Sequence, residues 1–169
     1  MRELKVYCEI WPCNEPFEKM QAFEPKAIIL SGGPASVLGK ASPKINKKIF
    51  ELGIPVLGIC YGMQLMTHML GGKVVRSKHR EYGHADLATQ KKHALLDGVK
   101  SKKVWMSHGD SIMKLPKDFT LIAKTKKGVP AAMAHKTKRM MALQFHPEVH
   151  HTTDGCLLYT SPSPRDKTV

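Results

Sequence analysis

The sequence Gly58-Ile59-Cys60-Tyr61-Gly62 follows the apolar run Ile54-Pro55-Val56-Leu57 and precedes a helical pattern from Met63 to Leu70. A G-x-C-x-G pattern at the end of a buried strand predicts a sharp strand-to-helix turn, because the small flanking residues permit a strained backbone. Such a turn lifts one side chain above the sheet. We therefore expect the Cys60 sulfur at a helix N-terminus, where the dipole and free N–H groups favour the thiolate.

A cysteine nucleophile needs a base and a group that orients the base. The sequence offers both in Phe145-His146-Pro147-Glu148, directly after the apolar run Met141-Ala142-Leu143. A carboxylate at Glu148 would hold one imidazole nitrogen of His146, fix its tautomer and stabilise the imidazolium. The predicted catalytic order along the chain is therefore Cys60, His146 and Glu148.

A third pattern, Ser31-Gly32-Gly33-Pro34, follows the strand-like run 26–30. Its glycines let the backbone turn and approach a substrate closely. An N–H group there, together with the N–H of Tyr61, would bind a developing oxyanion; losing one such donor costs about 10²–10³ in rate. Each pattern alone is common in loops. All three follow predicted strands, however, and the carboxyl edge of an open α/β sheet is where active sites form.

The sequence resembles the class I glutamine amidotransferases from about Arg2 to Gly155. Three matching segments occur generally in that family: Ser31-Gly32-Gly33-Pro34, Gly58-Ile59-Cys60-Tyr61-Gly62-Met63-Gln64 and Gln144-Phe145-His146-Pro147-Glu148-Val149. Two more resemble the branch of the family that serves GMP synthesis: Arg80-Glu81-Tyr82-Gly83 and Trp105-Met106-Ser107-His108-Gly109-Asp110. The resemblance implies a flavodoxin-like α/β fold with an open, mainly parallel sheet flanked by helices.

The resemblance also implies a reaction. Cys60 would attack the side-chain amide of glutamine, His146 would protonate the leaving ammonia and later activate water, and Glu148 would orient His146. The N–H groups of Gly33 and Tyr61 would form the oxyanion hole. A further set of residues would hold the substrate: Gln64, Ser107, His108, Gly109 and Asp110.

The ammonia would pass to a partner. In this branch of the family the partner is an ATP pyrophosphatase (synthetase), present as a domain or as a separate subunit, which adenylates XMP and converts it to GMP. ATP and Mg²⁺ would therefore be needed by that partner, and XMP would meet this chain only through it. We expect no cofactor and no metal for glutamine hydrolysis itself. Because Glu81 has no obvious task in that hydrolysis, we expect it to contact or signal to the synthetase domain.

The expected amidotransferase domain covers residues 1–155. Compared with the family pattern it would lack the first strand, most of the first helix and the closing helix, and the sequence shows no pyrophosphatase phosphate loop. Residues 156–169 resemble a translated sequencing adapter, and their Ser and Pro content argues against a packed element. We interpret them as a non-native tail.

Composition fits a single α/β domain, since 169 residues with 42% hydrophobic side chains suffice for one core. No apolar run approaches the ~18 residues of a membrane span, and no secretory signal is found. The four cysteines lack metal or disulfide spacing, which suits a reducing, cytoplasmic location without membrane contact. Strands are expected at 5–10, 26–30, 54–59, 73–76, 104–106, 121–124, 131–134 and 141–145, with a helix that Ser42 caps and Gly53 ends.

The net charge of +13 is concentrated in residues 101–140, which hold ten Lys or Arg and two Asp. A basic face would suit a nucleic-acid-binding module. The lysines lack interleaved aromatic residues, so a solvated surface is the favoured interpretation. A third interpretation is that the basic face docks the synthetase domain.

Two alternative functions keep Cys60 as the nucleophile: a cysteine hydrolase or peptidase of related fold, and an amidotransferase that feeds a different synthetase. Gln64 and Glu148 argue against the first, and segments 80–83 and 105–110 against the second.

Overall fold

The structure, a computed structural model, describes residues 5–155, except for the side chains of residues 78–80. The predicted non-native tail, 156–169, lies outside the described residues. Within residues 5–155 there are two helices, α1 (Phe17–Phe23) and α2 (Tyr61–Met69), together with two short 3-10 turns, Lys47–Glu51 and Ala94–Leu96. The strands are β1 (Ile28–Leu30), β2 (Val56–Ile59), β3 (Lys73–Thr89), β4 (Lys103–Lys114), β5 (Phe119–Thr125), β6 (Pro130–His135) and β7 (Met140–Leu143).

The seven strands form one sheet in the order β1-β2-β7-β6-β5-β3-β4. Strands β1, β2 and β7 are parallel neighbours, whereas β7, β6, β5, β3 and β4 pair antiparallel in turn. The α/β class is therefore confirmed, but a parallel arrangement is found only among the first three strands in this order. Parallel neighbours need a crossover, usually a helix, and the connections between β3 and β7 contain no α-helix, only the 3-10 turn Ala94–Leu96.

The antiparallel half of the sheet curls back over the parallel half. Strand β3 pairs with β4 along 73–86 and with β5 along 87–89. Although β4 is last in the strand order, the backbone N–H of His146, just past β7, donates to the carbonyl oxygen of Trp105 in β4 at 3.0 Å. The far edge of the sheet thus reaches the carboxyl ends of the parallel strands.

Helix α2 is the central packing element. All its residues from Tyr61 to Thr67 are buried, among them Met63 and Met66, which are fully enclosed. They pack with Val56 of β2 in one apolar cluster, and a second cluster lies around Phe145 and the inner faces of β4 to β7. The helix predicted from Met63 to Leu70 is confirmed, with its start two residues earlier. Neither helix in the described range is long and apolar enough to cross a bilayer.

Two predicted elements are wrong. Residues 5–10 form no strand, and Ile10 is 94% exposed, because alternating apolar residues make a strand only where another strand pairs with them. The helix expected after Ser42 is only the 3-10 turn Lys47–Glu51. There the side chain of Asn46 accepts the N–H of Lys48 at 3.0 Å, which caps the turn later than predicted.

Candidate active site

Cys60 occupies a strained turn between β2 and α2. Its φ of 52° and ψ of −104° lie where residues other than glycine are rarely found, and such strain concentrates at functional sites. The flanking glycines are required by close approach: a Cβ on Gly62 would lie 2.1 Å from the carbonyl oxygen of Leu30, and one on Gly58 would lie 2.8 Å from that of Gly62. The sharp turn predicted from the G-x-C-x-G pattern is therefore present.

His146 and Glu148 meet beside Cys60. The Nδ1 atom of His146 lies 2.6 Å from Oε1 of Glu148. A hydrogen bond with Cys60 raises the pKa of His146 to about 9, and Glu148 acts in the same direction against the opposing effect of burial. The ring is thus an imidazolium at neutral pH, ready to give up a proton next to the sulfur. The structure brings together the three residues that the sequence predicts as a triad.

The Ser31-Gly32-Gly33-Pro34 segment lies against this triad. A Cβ on Gly32 would be 2.9 Å from Cε1 of His146 and 3.5 Å from Cβ of Cys60. A Cβ on Gly33 would only touch the Tyr61 side chain, at 4.0 Å. Tyr61 begins α2, so its N–H is one of those without an intrahelical acceptor. The two predicted oxyanion donors, Gly33 and Tyr61, therefore lie side by side next to Cys60.

The predicted substrate-binding segment Ser107–Asp110 lies in β4, and the strand divides it between two environments. Ser107 is exposed, and its carbonyl oxygen lies 3.5 Å from Sγ of Cys60. His108 and Asp110 are buried, at 4% and 6% exposure, while Gly109 between them is partly exposed. Because successive strand residues face opposite sides, Ser107 and Gly109 share the more exposed face and the other two lie in the interior.

Gln64 lies in the interior as well. Its Nε2 donates to the Asp110 carbonyl oxygen at 3.2 Å and to Oε1 of Gln144 at 3.3 Å. The Asp110 carboxylate accepts the hydroxyl of Ser36, just beyond the glycine segment. These bonds tie α2, β4, β7 and the glycine segment together around Cys60. Ser36 and Gln144 were not predicted as site residues; Gln144 lies in a matched motif, but nothing in the sequence distinguishes Ser36 from other loop serines.

Glu81 lies elsewhere than expected. It is only 5% exposed, so its side chain is not on a docking surface, and its Oε2 lies 3.4 Å from Nε2 of His108. Burial lowers the pKa of His108, opposed by the carbonyl of Asp110 and by Glu81. The buried Glu81–His108 pair is the main feature that sequence reasoning missed. The β3–β4 pairing is irregular between Arg76 and Glu81, and this irregularity changes which residues of β3 face inward. A simple strand alternation in the sequence therefore does not predict the pair.

Among the residues that the structure describes, no three His, Cys, Asp or Glu side chains are grouped so that they could hold a metal ion. Cys8, Cys13 and Cys60 are free thiols.

The chain resembles known proteins along most of its length. Residues 1–160 match the family glutamine amidotransferase class-I. The chain is 52% identical over 158 residues to GMP synthase [glutamine-hydrolyzing] of Oleidesulfovibrio alaskensis, with 92% of this chain and 31% of that protein covered. It is 53% identical over 162 residues to the enzyme of the same name from Wolinella succinogenes, covering 93% of this chain and 31% of the relative. It thus spans under a third of the length of these curated relatives.

Solved structures of similar proteins support the same family. A Thermoplasma acidophilum protein, described as one of the subunits of a GMP synthase, superposes with a TM-score of 0.79 at 32% identity, over 94% of this chain and 80% of that one. A glutamine amidotransferase from Thermotoga maritima superposes with a TM-score of 0.65 at 25% identity, over 85% of this chain and 64% of that one. The predicted family and its GMP-related branch are confirmed.

Proposed function

The chain belongs to the class I glutamine amidotransferase family, and we propose that it hydrolyses glutamine to glutamate and ammonia through Cys60, His146 and Glu148. The observation that carries the proposal is the strained Cys60 turn, which sets the sulfur beside a His146 ring whose pKa is raised to about 9. A protonated His146 therefore lies beside Cys60 before substrate arrives, as a proton donor to a leaving group must.

The first half of the reaction forms a thioester. The Cys60 thiolate attacks the side-chain amide carbon of glutamine, and the N–H groups of Gly33 and Tyr61 stabilise the negative charge on the amide oxygen. The His146 imidazolium gives its proton to the amide nitrogen. The carbon–nitrogen bond then breaks, ammonia leaves, and a glutamyl thioester and a neutral His146 remain.

The second half regenerates the enzyme. Neutral His146 takes a proton from water, which attacks the thioester carbon. The thiolate of Cys60 leaves as the carbon–sulfur bond breaks, glutamate is released, and His146 is again protonated. Glu148 holds Nδ1 of His146 throughout and so directs the other ring nitrogen toward sulfur and substrate.

The substrate is proposed to lie along β4. Ser107 and Gly109 are on its more exposed face and would contact the α-amino and α-carboxylate groups of glutamine. The buried Gln64, His108 and Asp110 would complete the same subsite from the interior. Hydrolysis of the amide at such a site calls on no metal or cofactor.

Beyond hydrolysis, the ammonia is proposed to serve a synthetase. The two curated relatives above are GMP synthases [glutamine-hydrolyzing] of about three times this length. An ATP pyrophosphatase domain or subunit would use ATP and Mg²⁺ to adenylate XMP and would receive the ammonia, giving GMP. Residues 1–155 as the domain and a cytoplasmic location remain predictions.

The direct test is release of glutamate and ammonia from glutamine by the purified chain, with asparagine as a control substrate. We expect Cys60→Ala to abolish release and Cys13→Ala, which removes an exposed free thiol, to leave it unchanged. Release that survives in Cys60→Ala would reject the proposed nucleophile. Addition of a synthetase domain with ATP, Mg²⁺ and XMP should then give glutamine-dependent GMP; no GMP from an active glutaminase would reject the GMP assignment alone.

A further inference from the structure

We propose that Glu81 is a positioning residue for glutamine binding: through His108 it holds the β4 segment Ser107–Asp110 in place in front of Cys60. The inference rests on the proposed glutaminase function, because it concerns the same substrate site. Glu81 is buried, at 5% exposure, and lies directly opposite His108 in the β3–β4 ladder, so its effect on the site would pass through His108.

The contacts of His108 fix where its protons lie. Its Nδ1 is 2.8 Å from the carbonyl oxygen of Asp110, and because a carbonyl can only accept, Nδ1 carries a proton and donates it. The other ring nitrogen, Nε2, faces Oε2 of Glu81 at 3.4 Å. On the opposite side, Oε1 of Glu81 accepts the hydroxyl of Thr125 from β5 at 3.4 Å.

The Glu81–His108 pair needs one shared proton. Neither Oε2 of Glu81 nor Nε2 of His108 has another hydrogen-bond partner among the described residues. If both atoms lacked a proton, two lone pairs would face each other between side chains that are only 1% and 5% exposed, and their repulsion would be costly. A proton between them removes this cost, either as imidazolium with carboxylate or as imidazole with carboxylic acid. In either form the pair locks the ring in one orientation.

The orientation of the His108 ring affects the positions of two backbone carbonyl oxygens in the site, those of Ser107 and Asp110. Ser107 immediately precedes His108, and its carbonyl oxygen lies 3.5 Å from the Cys60 sulfur. The Asp110 carbonyl oxygen, which His108 holds, also accepts Nε2 of Gln64 at 3.2 Å. A displaced His108 would therefore move β4 relative to the nucleophile and release Gln64.

The backbone ladder alone holds this part of β4 less firmly. Its register shifts between Arg76 and Glu81, so regular pairing with β4 resumes only at the Glu81–His108 position. A β-bulge disrupts the local ladder bonds. The buried side-chain pair secures the strand at the point where the ladder restarts and where the substrate face begins.

The test separates glutamine affinity from thiol reactivity in the full chain. Cys60 is labelled with the chloromethyl ketone analogue of glutamine, and the glutamine concentration that halves the labelling rate is measured. The alkylation rate of Cys60 by iodoacetamide, which does not resemble glutamine, is measured in parallel. The variants are Glu81→Leu, Glu81→Gln and, as a control, Glu51→Leu, which makes the first change at an exposed position.

We expect Glu81→Leu to raise the half-protecting glutamine concentration about tenfold, the scale of one lost hydrogen bond to a charged group, with the iodoacetamide rate within about twofold of wild type. Glu81→Gln should recover much of the loss, because an amide N–H can donate to a neutral Nε2 of His108. Glu51→Leu should match wild type. Should Glu81→Leu fail to fold, Thr125→Val decides: it removes the hydroxyl that holds Glu81 and should raise the concentration by a smaller factor.

Unchanged protection in Glu81→Leu, or in Thr125→Val where that variant decides, would overturn the positioning role. So would equal loss in Glu81→Leu and Glu81→Gln, or a parallel fall in both glutamine protection and iodoacetamide reactivity, which would indicate general damage to the fold. If glutamine fails to protect Cys60 even in folded wild-type protein, the proposed function itself is wrong. That result is distinguishable, because it appears before any variant is compared.

Discussion

Two imidazole–carboxylate pairs of the same composition lie close to Cys60, and their surroundings give them opposite properties. In the His146–Glu148 pair the side chains are 18% and 55% exposed, and the pKa of His146 is raised to about 9, chiefly by the hydrogen bond with Cys60. In the His108–Glu81 pair they are 1% and 5% exposed, and burial lowers the pKa of His108. Residue type alone therefore does not assign a role to a histidine–carboxylate pair.

Access and location explain the difference. The His146 side chain is partly exposed and lies beside the Cys60 sulfur, so its proton can move to a leaving group and return. His108 is enclosed between strands, so its proton can only hold neighbouring groups in place. We therefore expect a rate defect from changes to the His146–Glu148 pair and a defect in glutamine affinity from changes to the His108–Glu81 pair.

The largest effect should follow removal of the reactive ring. We expect His146→Ala to lower kcat/KM for ammonia release by at least about 10³-fold, because the proton donor and base are both lost. His68→Ala, which removes an exposed histidine on α2, should stay within about threefold of wild type. Steady-state ammonia release measures both. Activity retained in His146→Ala would contradict the catalytic role assigned to the His146–Glu148 pair.

The next effect concerns the exposed carboxylate. Glu148→Gln should lower kcat by about 10- to 100-fold while leaving the half-protecting glutamine concentration unchanged. The loss is smaller than the ~10⁴-fold known for a buried orienting carboxylate, because Glu148 is 55% exposed and water can replace part of its role. Glu81→Leu should show the opposite result, with a raised half-protecting glutamine concentration and little loss of rate. A pure affinity defect in Glu148→Gln would contradict this difference between the two pairs.

The glycine segment offers a smaller and matched test. A Cβ at Gly32 would lie 2.9 Å from Cε1 of His146, so Gly32→Ala should displace the ring and lower kcat/KM about tenfold. A Cβ at Gly33 would meet only ordinary contacts at 4.0 Å, and Ala keeps the backbone N–H, so Gly33→Ala should lose no more than about threefold. Equal effects of the two substitutions, seen in the same kinetic assay, would show that His146 is not held where the structure places it.

The smallest effect is on stability against pH. The folded pKa of His146, about 9, lies above the ordinary value near 6.5 of an unfolded histidine. Its contribution to stability is therefore fully present below about pH 6.5 and is lost as the pH rises through about 9. Urea midpoints across this range should fall with pH in wild type and fall less in Cys60→Ala, since the bond with Cys60 is the main cause.

A ring-proton NMR titration locates the change. The pKa of His146 should drop toward its ordinary value in Cys60→Ala, while that of His108 should stay below its ordinary value in both proteins. A His146 pKa that is the same with and without the thiol would contradict the assigned cause.

The sequence predicts the reactive pair well and the buried pair hardly at all. His146 and Glu148 are two residues apart and follow a strand, so local spacing alone brings them together. The Cys60 turn is equally local, because the glycines on either side mark it. These features and the parallel strands β1, β2 and β7 are predictable because each depends on a short segment whose residue pattern is typical of one local structure.

The antiparallel half depends on long-range pairing. Glu81 and His108 meet only because β3 and β4 pair in one register, with an irregularity after Arg76 that no local pattern announces. From the sequence, Glu81 is expected to contact or signal to the synthetase domain, whereas its side chain is buried against His108. The mainly parallel sheet is expected if strands alternate with helices, whereas β3 to β7 follow one another without a packed crossover.

The most direct test of a glutamine site at Cys60 is covalent labelling by the chloromethyl ketone analogue of glutamine, followed by intact mass and peptide mapping of folded protein. The account predicts a single adduct, on Cys60, that excess glutamine prevents and that Cys60→Ala does not form. Labelling of Cys8 or Cys13 instead, or labelling of Cys60 that glutamine does not slow, would contradict it.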